Sequence, residues 1–545
     1  MLERLARHSW MQIALVVLVA ACVYLPFLGV RPLDFSEGHR AVPGWTMLES
    51  HDFWHQKMFG LTYIRKPPGI AWAIAASSAW LGETPLAARL PSALAAMLMS
   101  GLAWWYGRRW FGVARAFQPV GLAQENQEHG LNSPCHGLAG VSAGLAQALM
   151  PLMWSPGRMA EIEMLNNLGT QMFALGLIDL MAFRGGKHKQ TSDHDESPFA
   201  FLHELCASAR DIFFPALGIA VAALAKGPAS APMLAGVLIG GCIAAKSIRP
   251  LATRGVWIAL LIGVSAAVVL LLKFFIANDT PDAVREDVAG QFLWSGARVL
   301  GVVTLLPVAF ASAMPAAMAI VGPFMRGVGE REVSPIARTL AWAWIVSVLV
   351  LMCAGVSNAR YAMPAAVLLP PLVPFAIAGI RSRTHQHADS ESGIGAWLRR
   401  KVVSPVVWMM LMMLGAWWFL ALTSLSPTQD QKSSVAAASH LAGLATDKGE
   451  VWADDAIEAR PDVVWQMQQE SPWLHMRWAK QQTRAGELPP PGDYLLIRTD
   501  PGSAEGAQYE QVAKTTTLIR LGAAQVRRYE FTLYRVRTNT WPLPP

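Results

Sequence analysis

Residues 31–69 read RPLDFSEGHRAVPGWTMLESHDFWHQKMFGLTYIRKPPG. An apolar run of about 11–30 delivers this stretch to one face of a membrane, and a second apolar run, Gly69–Leu81, follows it. Asp34, Glu37, His39 and Arg40 stand near its start, and Arg65-Lys66-Pro67-Pro68 closes it. A carboxylate and a phosphate-sized cationic spot thus meet at a lipid surface. That combination suits chemistry on a substrate that is itself a lipid.

Composition places the rest of the chain in the same setting. Hydrophobic residues make up 53% of the 545, charged residues 15%, and mean hydropathy is +0.31. A soluble domain carries about 25% charged residues. The charges here fall in short clusters between apolar runs, which is the pattern of a polytopic membrane protein. The net charge of +7 fits basic loop ends on the cytoplasmic side and gives no reason to expect nucleic acid. The five cysteines form no CxxC pair, so neither a zinc site nor a disulfide framework is expected.

A spanning helix needs about 20 mainly apolar residues. Runs near 11–30, 86–106, 136–154, 163–182, 211–225, 229–245, 255–276, 298–322, 339–356, 361–380 and 402–424 meet that need. Gly69–Leu81 has only 13 residues, so it is expected to lie flat at the interface. With the N-terminus inside and 11 spans, the basic clusters, from Arg4/Arg7 to Arg399-Arg400-Lys401, all fall on one side. Counting 69–81 as a span would put Arg108-Arg109 opposite Arg4 and Arg7. The fold class expected is therefore an all-α polytopic membrane protein over residues 1–425. A small soluble α+β domain follows over 426–545, outside, with a strand near Tyr494–Ile497 and a hairpin across Leu518–Val536.

The outer face then collects mixed-sign charges at membrane depth, where charges are expensive and usually functional. Glu37 can serve as a general base on an acceptor hydroxyl or amine, or can tie down the loop through Arg40. Lys66 precedes Pro67-Pro68 and a helix start, whose free N–H groups complete an anion site; a snorkelling interfacial lysine is the plainer alternative. Arg158, Glu161 and Glu163 open the fourth span, with Arg158 and Glu161 spaced to share a helix face. Lys226-Gly227-Pro228 reads as a turn between two spans, and Tyr361 after Arg360 as an interface anchor or a site residue. Arg285 and Arg298 are further helpers for a bound phosphate.

Taken in order, SEGHRA, MLES, DFW, RKPPG and ETPLAARLPSAL resemble the bacterial GT-C glycosyltransferases that use lipid-linked sugars, in the branch of the lipid A aminoarabinose transferase and the protein O-mannosyltransferases. The resemblance covers about residues 10–425. Its motifs map onto Glu37, Lys66-Pro67-Pro68, Ala87–Leu94, Arg158 to Glu163, Lys226-Gly227-Pro228 and Tyr361 to Pro364. It implies a polyprenyl-phosphate sugar donor, a lipid, glycan or protein acceptor, and a bacterial inner-membrane location with the tail periplasmic. It also implies Glu37 as the catalytic carboxylate, and Asp34, at a different spacing from the family's first acid, is the candidate to stand in for that acid. Substrate contacts would come from Lys66, His39, Arg40, Arg65, Arg158, Glu161, Glu163, Lys226, Arg285, Arg298, Arg360 and Tyr361. The chain departs from the pattern at three places: Ser36 stands where the family has the first acid of a pair, His39 where it has an arginine, and Arg65 where the aminoarabinose enzyme has an acid. No cofactor follows from the sequence, and the need for a divalent metal stays open.

The chemistry agrees with the residues. A sugar on polyprenyl phosphate has a good leaving group that needs charge stabilisation and no protonation. One base and a cationic clamp therefore suffice, and direct displacement inverts the anomeric centre. A transporter or flippase of the same lipid would also want a basic vestibule, but would show internal repeats and ionisable residues at mid-span. A membrane scaffold with a sensor tail would leave the loop charges without a role.

Overall fold

The computed structural model describes residues 8–58, 61–63, 66–116, 134–183, 198–278, 305–311, 313–314, 316–320, 334–354, 356, 359–377, 405–424, 427–444, 450–453, 460–470, 475–478, 494–498, 509–520 and 526–536. Among them, five apolar stretches are long enough to cross a membrane, or six if the bent pair Leu138–Ala148 and Pro151–Arg158 is one span. The protein is a multi-pass membrane protein. The difference from eleven has physical causes. Helix α1 (Ser9–Tyr24) holds 16 residues, and the run 298–322 is described only in the pieces 305–311, 313–314 and 316–320. The expected run at 361–380 is among the five, as Arg360–Ile377, although short turns around Pro364, Pro370 and Pro371 interrupt it.

Stretch 31–69 is more ordered than a loop. It forms α2 (Phe35–Ser50), a small antiparallel hairpin of β1 (Lys57–Met58) and β2 (Leu61–Thr62), and then α3 (Gly69–Leu81). Helix α2 begins where it does because Asp34 and Glu37 make a capping box. The Asp34 carboxylate accepts from the Glu37 amide at 2.9 Å, and the Glu37 carboxylate accepts from the Asp34 amide at 3.0 Å. Helix α3 has the bounds of the apolar run that predicts it. At about 1.5 Å per residue its 13 residues reach about 20 Å, short of the ~30 Å of a bilayer core.

The main bundle is built from α4 (Pro85–Ala116), α5 (Pro134–Ala148), the single turn α6 (Pro151–Trp154), α7 (Ile162–Phe183), α8 (Pro198–Lys226), α9 (Ala231–Ala245), α10 (Arg254–Asn278) and α11 (Pro335–Cys353). The one-turn α12 (Met363–Ala366) and then α13 (Pro405–Ser424) complete it. Small residues set the closest crossings: a Cβ at Gly169 would lie 2.5 Å from the Ala222 nitrogen, and one at Gly240 2.5 Å from the Ala343 nitrogen. Helix α10 shows its apolar side outward, with Leu261, Val269 and Ile276 more than 60% exposed, as a lipid-facing helix does.

The tail carries α14 (Gln429–Leu444), α15 (Pro461–Glu470) and a five-stranded sheet in the order β4-β3-β5-β7-β6. Its strands are β3 (Glu450–Ala453), β4 (His475–Trp478), β5 (Tyr494–Arg498), β6 (Tyr509–Arg520) and β7 (Val526–Val536). Strand β3 pairs parallel with β4 and β5, whereas β7 pairs antiparallel with β5 and β6. The sequence reading starts the hairpin at Leu518; the strand begins nine residues earlier, because the polar-rich half of β6 hides its alternation. One buried apolar cluster joins Leu33, Val42, Trp45 and Ile74 of the first stretch to Leu441, Val464, Trp465 and Phe531 of the tail.

Candidate active site

Four segments far apart in sequence meet above the N-terminal end of α7. The turn Lys66-Pro67-Pro68-Gly69 rests on the end of α8: a Cβ at Gly69 would lie 2.6 Å from the Leu224 carbonyl oxygen, and one at Gly227 3.9 Å from Pro67. Glycine is needed at 227 also because φ is +62° there. This contact brings Lys66 within electrostatic reach of Lys226. The start of α2 supplies Asp34, Ser36 and Arg40. The turn Ala359–Ala362 supplies Arg360 and Tyr361.

Two carboxylates sit at the centre. Glu163 accepts from Lys226 Nζ at 3.0 Å and from Arg360 Nη2 at 2.8 Å. Glu161 is ion-paired with Arg40 at 3.1 Å and with Arg360, and its Oε1 faces the Ser36 hydroxyl at 3.1 Å. Lys226 Nζ also lies 4.2 Å from the centre of the Tyr361 ring. Glu161, Glu163, Lys226 and Arg40 are mostly buried, and Arg360 keeps 37% of its side chain exposed. Burial pushes the Glu161 carboxyl up to about 7, helped by the neighbouring Glu163 charge and opposed by Arg40 and Arg360. Three cations (Arg40, Lys226, Arg360) pair with two glutamates and Lys66 stands within electrostatic reach of Lys226, so the cluster carries an excess of positive charge.

Glu37 lies beside this cluster with a different part to play. It is 0% exposed, and its two oxygens accept four hydrogen bonds: Arg89 Nε and Nη2 at 2.7 Å each, and the amides of Ala160 and Asp34 at 3.0 Å. Arg89 spends its other donors on the carbonyls of Leu28, Arg31 and Pro32. Burial alone would raise the Glu37 carboxyl, but the Arg89 guanidinium more than offsets it and holds the group below its ordinary value. A base needs a free lone pair within reach of the acceptor, and Glu37 has none to offer. In this arrangement Glu37 pins α2 to α4 and to the start of α7.

The remaining expected residues fall out as follows. Asp34 caps α2 and touches Ser36, at 3.0 Å. His39 is turned aside: its Nδ1 hydrogen-bonds the Phe35 carbonyl at 2.8 Å and its ring packs on Phe35 and Tyr63. Arg158 belongs to a 3-10 turn, Pro156–Arg158, and donates to the Val23 carbonyl at 3.3 Å, so it shares no helix face with Glu161. Arg65, Arg285 and Arg298 lie outside the described residues. Arg89 and Ser36 were not singled out as site residues. The capping pattern Asp-x-x-Glu was available in the sequence, but the Glu37–Arg89 pair bridges 52 positions and leaves no local trace. For a divalent metal the fit is poor: among the described residues no group of three or more His, Cys, Asp or Glu side chains is placed to hold one, and Lys226 and Arg360 already stand against Glu163.

No protein-family model matches the chain, and no curated protein matches it significantly. Solved structures do. ArnT from Cupriavidus metallidurans bound to undecaprenyl phosphate superposes with a TM-score of 0.61 at 16% identity, covering 97% of this chain and 99% of that one. The same protein in the apo state gives 0.58 at 17% identity, with 95% and 97% covered. An oligosaccharyltransferase from Archaeoglobus fulgidus in the apo form gives 0.50 at 11%, with 90% and 69% covered. These are GT-C glycosyltransferases, and the fold of this chain is theirs.

Proposed function

We propose that the protein is a membrane glycosyltransferase that moves a sugar from a polyprenyl-phosphate donor to a lipid, glycan or protein acceptor, with inversion. The observation that carries this is the cationic excess around Glu161 and Glu163, on the face where the Lys-Pro-Pro and Lys-Gly-Pro turns touch. The ArnT structure that this fold resembles holds undecaprenyl phosphate, which supports the choice of donor. The reading puts the reaction at the outer face of the bacterial inner membrane, with residues 426–545 on the same side and the catalytic core in 1–425.

In this reading Lys66 and the half-exposed Arg360 take the donor phosphate. Lys226 stays paired with Glu163 and adds to the field. Charge that builds on the leaving phosphate is met by donors already in place, which is the larger part of such catalysis. Glu161 is the base. Its raised proton affinity suits it to take a proton from an acceptor as that acceptor attacks C1 from the face opposite the phosphate.

Cells with and without the gene should differ in their lipid extracts: without it, a polyprenyl-phosphate sugar accumulates. Purified Lys66→Ala should keep its fold and lose donor binding and turnover, and Lys66→Arg should keep part of both, because a point charge is wanted more than a fork. Unchanged turnover in Lys66→Ala would remove the anion site. Movement of donor across vesicles without transfer would replace the enzyme with a flippase.

A further inference from the structure

Ser36 Oγ lies 3.0 Å from Asp34 Oδ1 and 3.1 Å from Glu161 Oε1. A hydroxyl has one hydrogen and can satisfy one of these oxygens. If both carboxyls were ionised, the second oxygen would face the lone pairs of Oγ. The arrangement is attractive throughout when one carboxyl carries a proton and donates it to Oγ. One proton is then shared among three groups.

The three groups also differ in access. Glu161 is 3% exposed, whereas Asp34 and Ser36 are part-exposed at the start of α2. A buried base that takes a proton in each turnover must hand it on before the next. We infer that Asp34, Ser36 and Glu161 form a proton relay that empties the base after each transfer, an inference that rests on the glycosyl transfer proposed above.

The step balances. The acceptor's O–H or N–H proton goes to the Glu161 carboxylate as the new bond to C1 forms. The C1–O bond breaks and its electron pair leaves on the phosphate. The proton then passes from Glu161 to Ser36 Oγ while the Ser36 hydrogen passes to Asp34, which releases it to water.

Charged groups face both ends of the relay. Arg40 from α2, Arg360 from the 359–362 turn and Glu163 from α7 face Glu161, and Arg40 also donates to the Ser36 carbonyl. Arg31, Glu37, Arg89 and Asp462 of α15 act on Asp34. Burial, with the Glu37 charge beside it, pushes the Asp34 carboxyl up, as burial does for Glu161, so both ends of the relay can hold a proton. The capping contact with the Glu37 amide holds the Asp34 carboxylate in register with Ser36.

The test uses the full chain in lipid nanodiscs and two readouts. Infrared titration without substrate follows the protonated carboxyl band. Wild type should show a band that titrates near neutral pH and that Glu161→Gln removes. Ser36→Ala should shift its midpoint by about one pH unit, a tenfold change in proton affinity, and Ser36→Thr should restore it. With donor and acceptor, Ser36→Ala should lower kcat about tenfold or more at unchanged KM, within the usual range for proton-transfer groups, and Ser36→Thr should recover it. The inference is overturned if the band ignores Glu161, or if Ser36→Ala leaves both the titration and the pH profile of kcat where they were. A Ser36-dependent titration in a wild type that transfers no sugar would overturn glycosyl transfer, and with it the relay's place in turnover, while the shared proton stood.

Discussion

Glu37 matches a family position and also holds the fold together. The same carboxylate that fits a catalytic position closes a capping box and a bidentate ion pair with Arg89, all of it buried. Removing one partner of such a pair leaves the other charge stranded, at about 3–5 kcal/mol. Glu37→Gln should therefore lower the thermal stability of the detergent-solubilised protein by that much at neutral pH, and lose activity in step with folded fraction. The pH dependence follows from the sign of the shift. A carboxyl held below its ordinary value in the fold stabilises above its unfolded pKa of about 4.3, and that contribution fades as pH falls through the folded value. Wild type should lose stability on acidification below about pH 4 more steeply than Glu37→Gln. Equal melting temperatures for the two at pH 7 would show that the pair is not a structural tie.

Between elements, what matters is how closely the Lys-Pro-Pro turn sits on the end of α8. Gly69 permits that approach, because a Cβ there would press on the Leu224 carbonyl. Gly69→Ala should push Lys66 away from Lys226. Overpacking of this kind costs about 1–3 kcal/mol, and donor affinity should fall more than turnover at saturation. Unchanged donor binding in Gly69→Ala would mean that the two lysines need not be neighbours. Helix α3 was legible in the sequence because an apolar run is bounded by Pro67-Pro68 and by Gly82, which closes the helix with φ +68°. Lys226, Glu163 and Arg360 were legible as separate outer-face charges, since charge at membrane depth is rarely idle. Helix α2 was not, although Asp34-x-x-Glu37 announces it, because Ser36, Gly38 and Pro43 read as loop. The joining of Ser36 to Glu161 spans 125 positions and comes from tertiary packing alone.

At the scale of the whole molecule, contacts sort the chain into two ends. At one end lie the active-site cluster and Lys273, whose Nζ stands 3.9 Å from the Trp54 ring. At the other, Arg109 and Trp110 bind Asp179, and Gly241 packs on Met181. The tail belongs to the first end. Gln431 donates to the Pro32 carbonyl at 2.9 Å, Trp465 packs on Trp45 with ring centres 5.0 Å apart, and a Cβ at Gly38 would lie 2.7 Å from the Asp462 amide nitrogen. If the tail and α2 share a side, that side is outside, because the basic residues Arg108, Arg109, Lys246 and Arg249 crowd the opposite end. The native cysteines at 22, 135, 206, 242 and 353 would first be replaced. A thiol at exposed His440 should then react with a membrane-impermeant reagent on intact spheroplasts, and one at exposed Lys246 only after lysis. Labelling of Lys246→Cys from outside, or protection of His440→Cys, would invert the molecule and leave the cationic cluster on the cytoplasmic face, away from the compartment where the proposed acceptor waits.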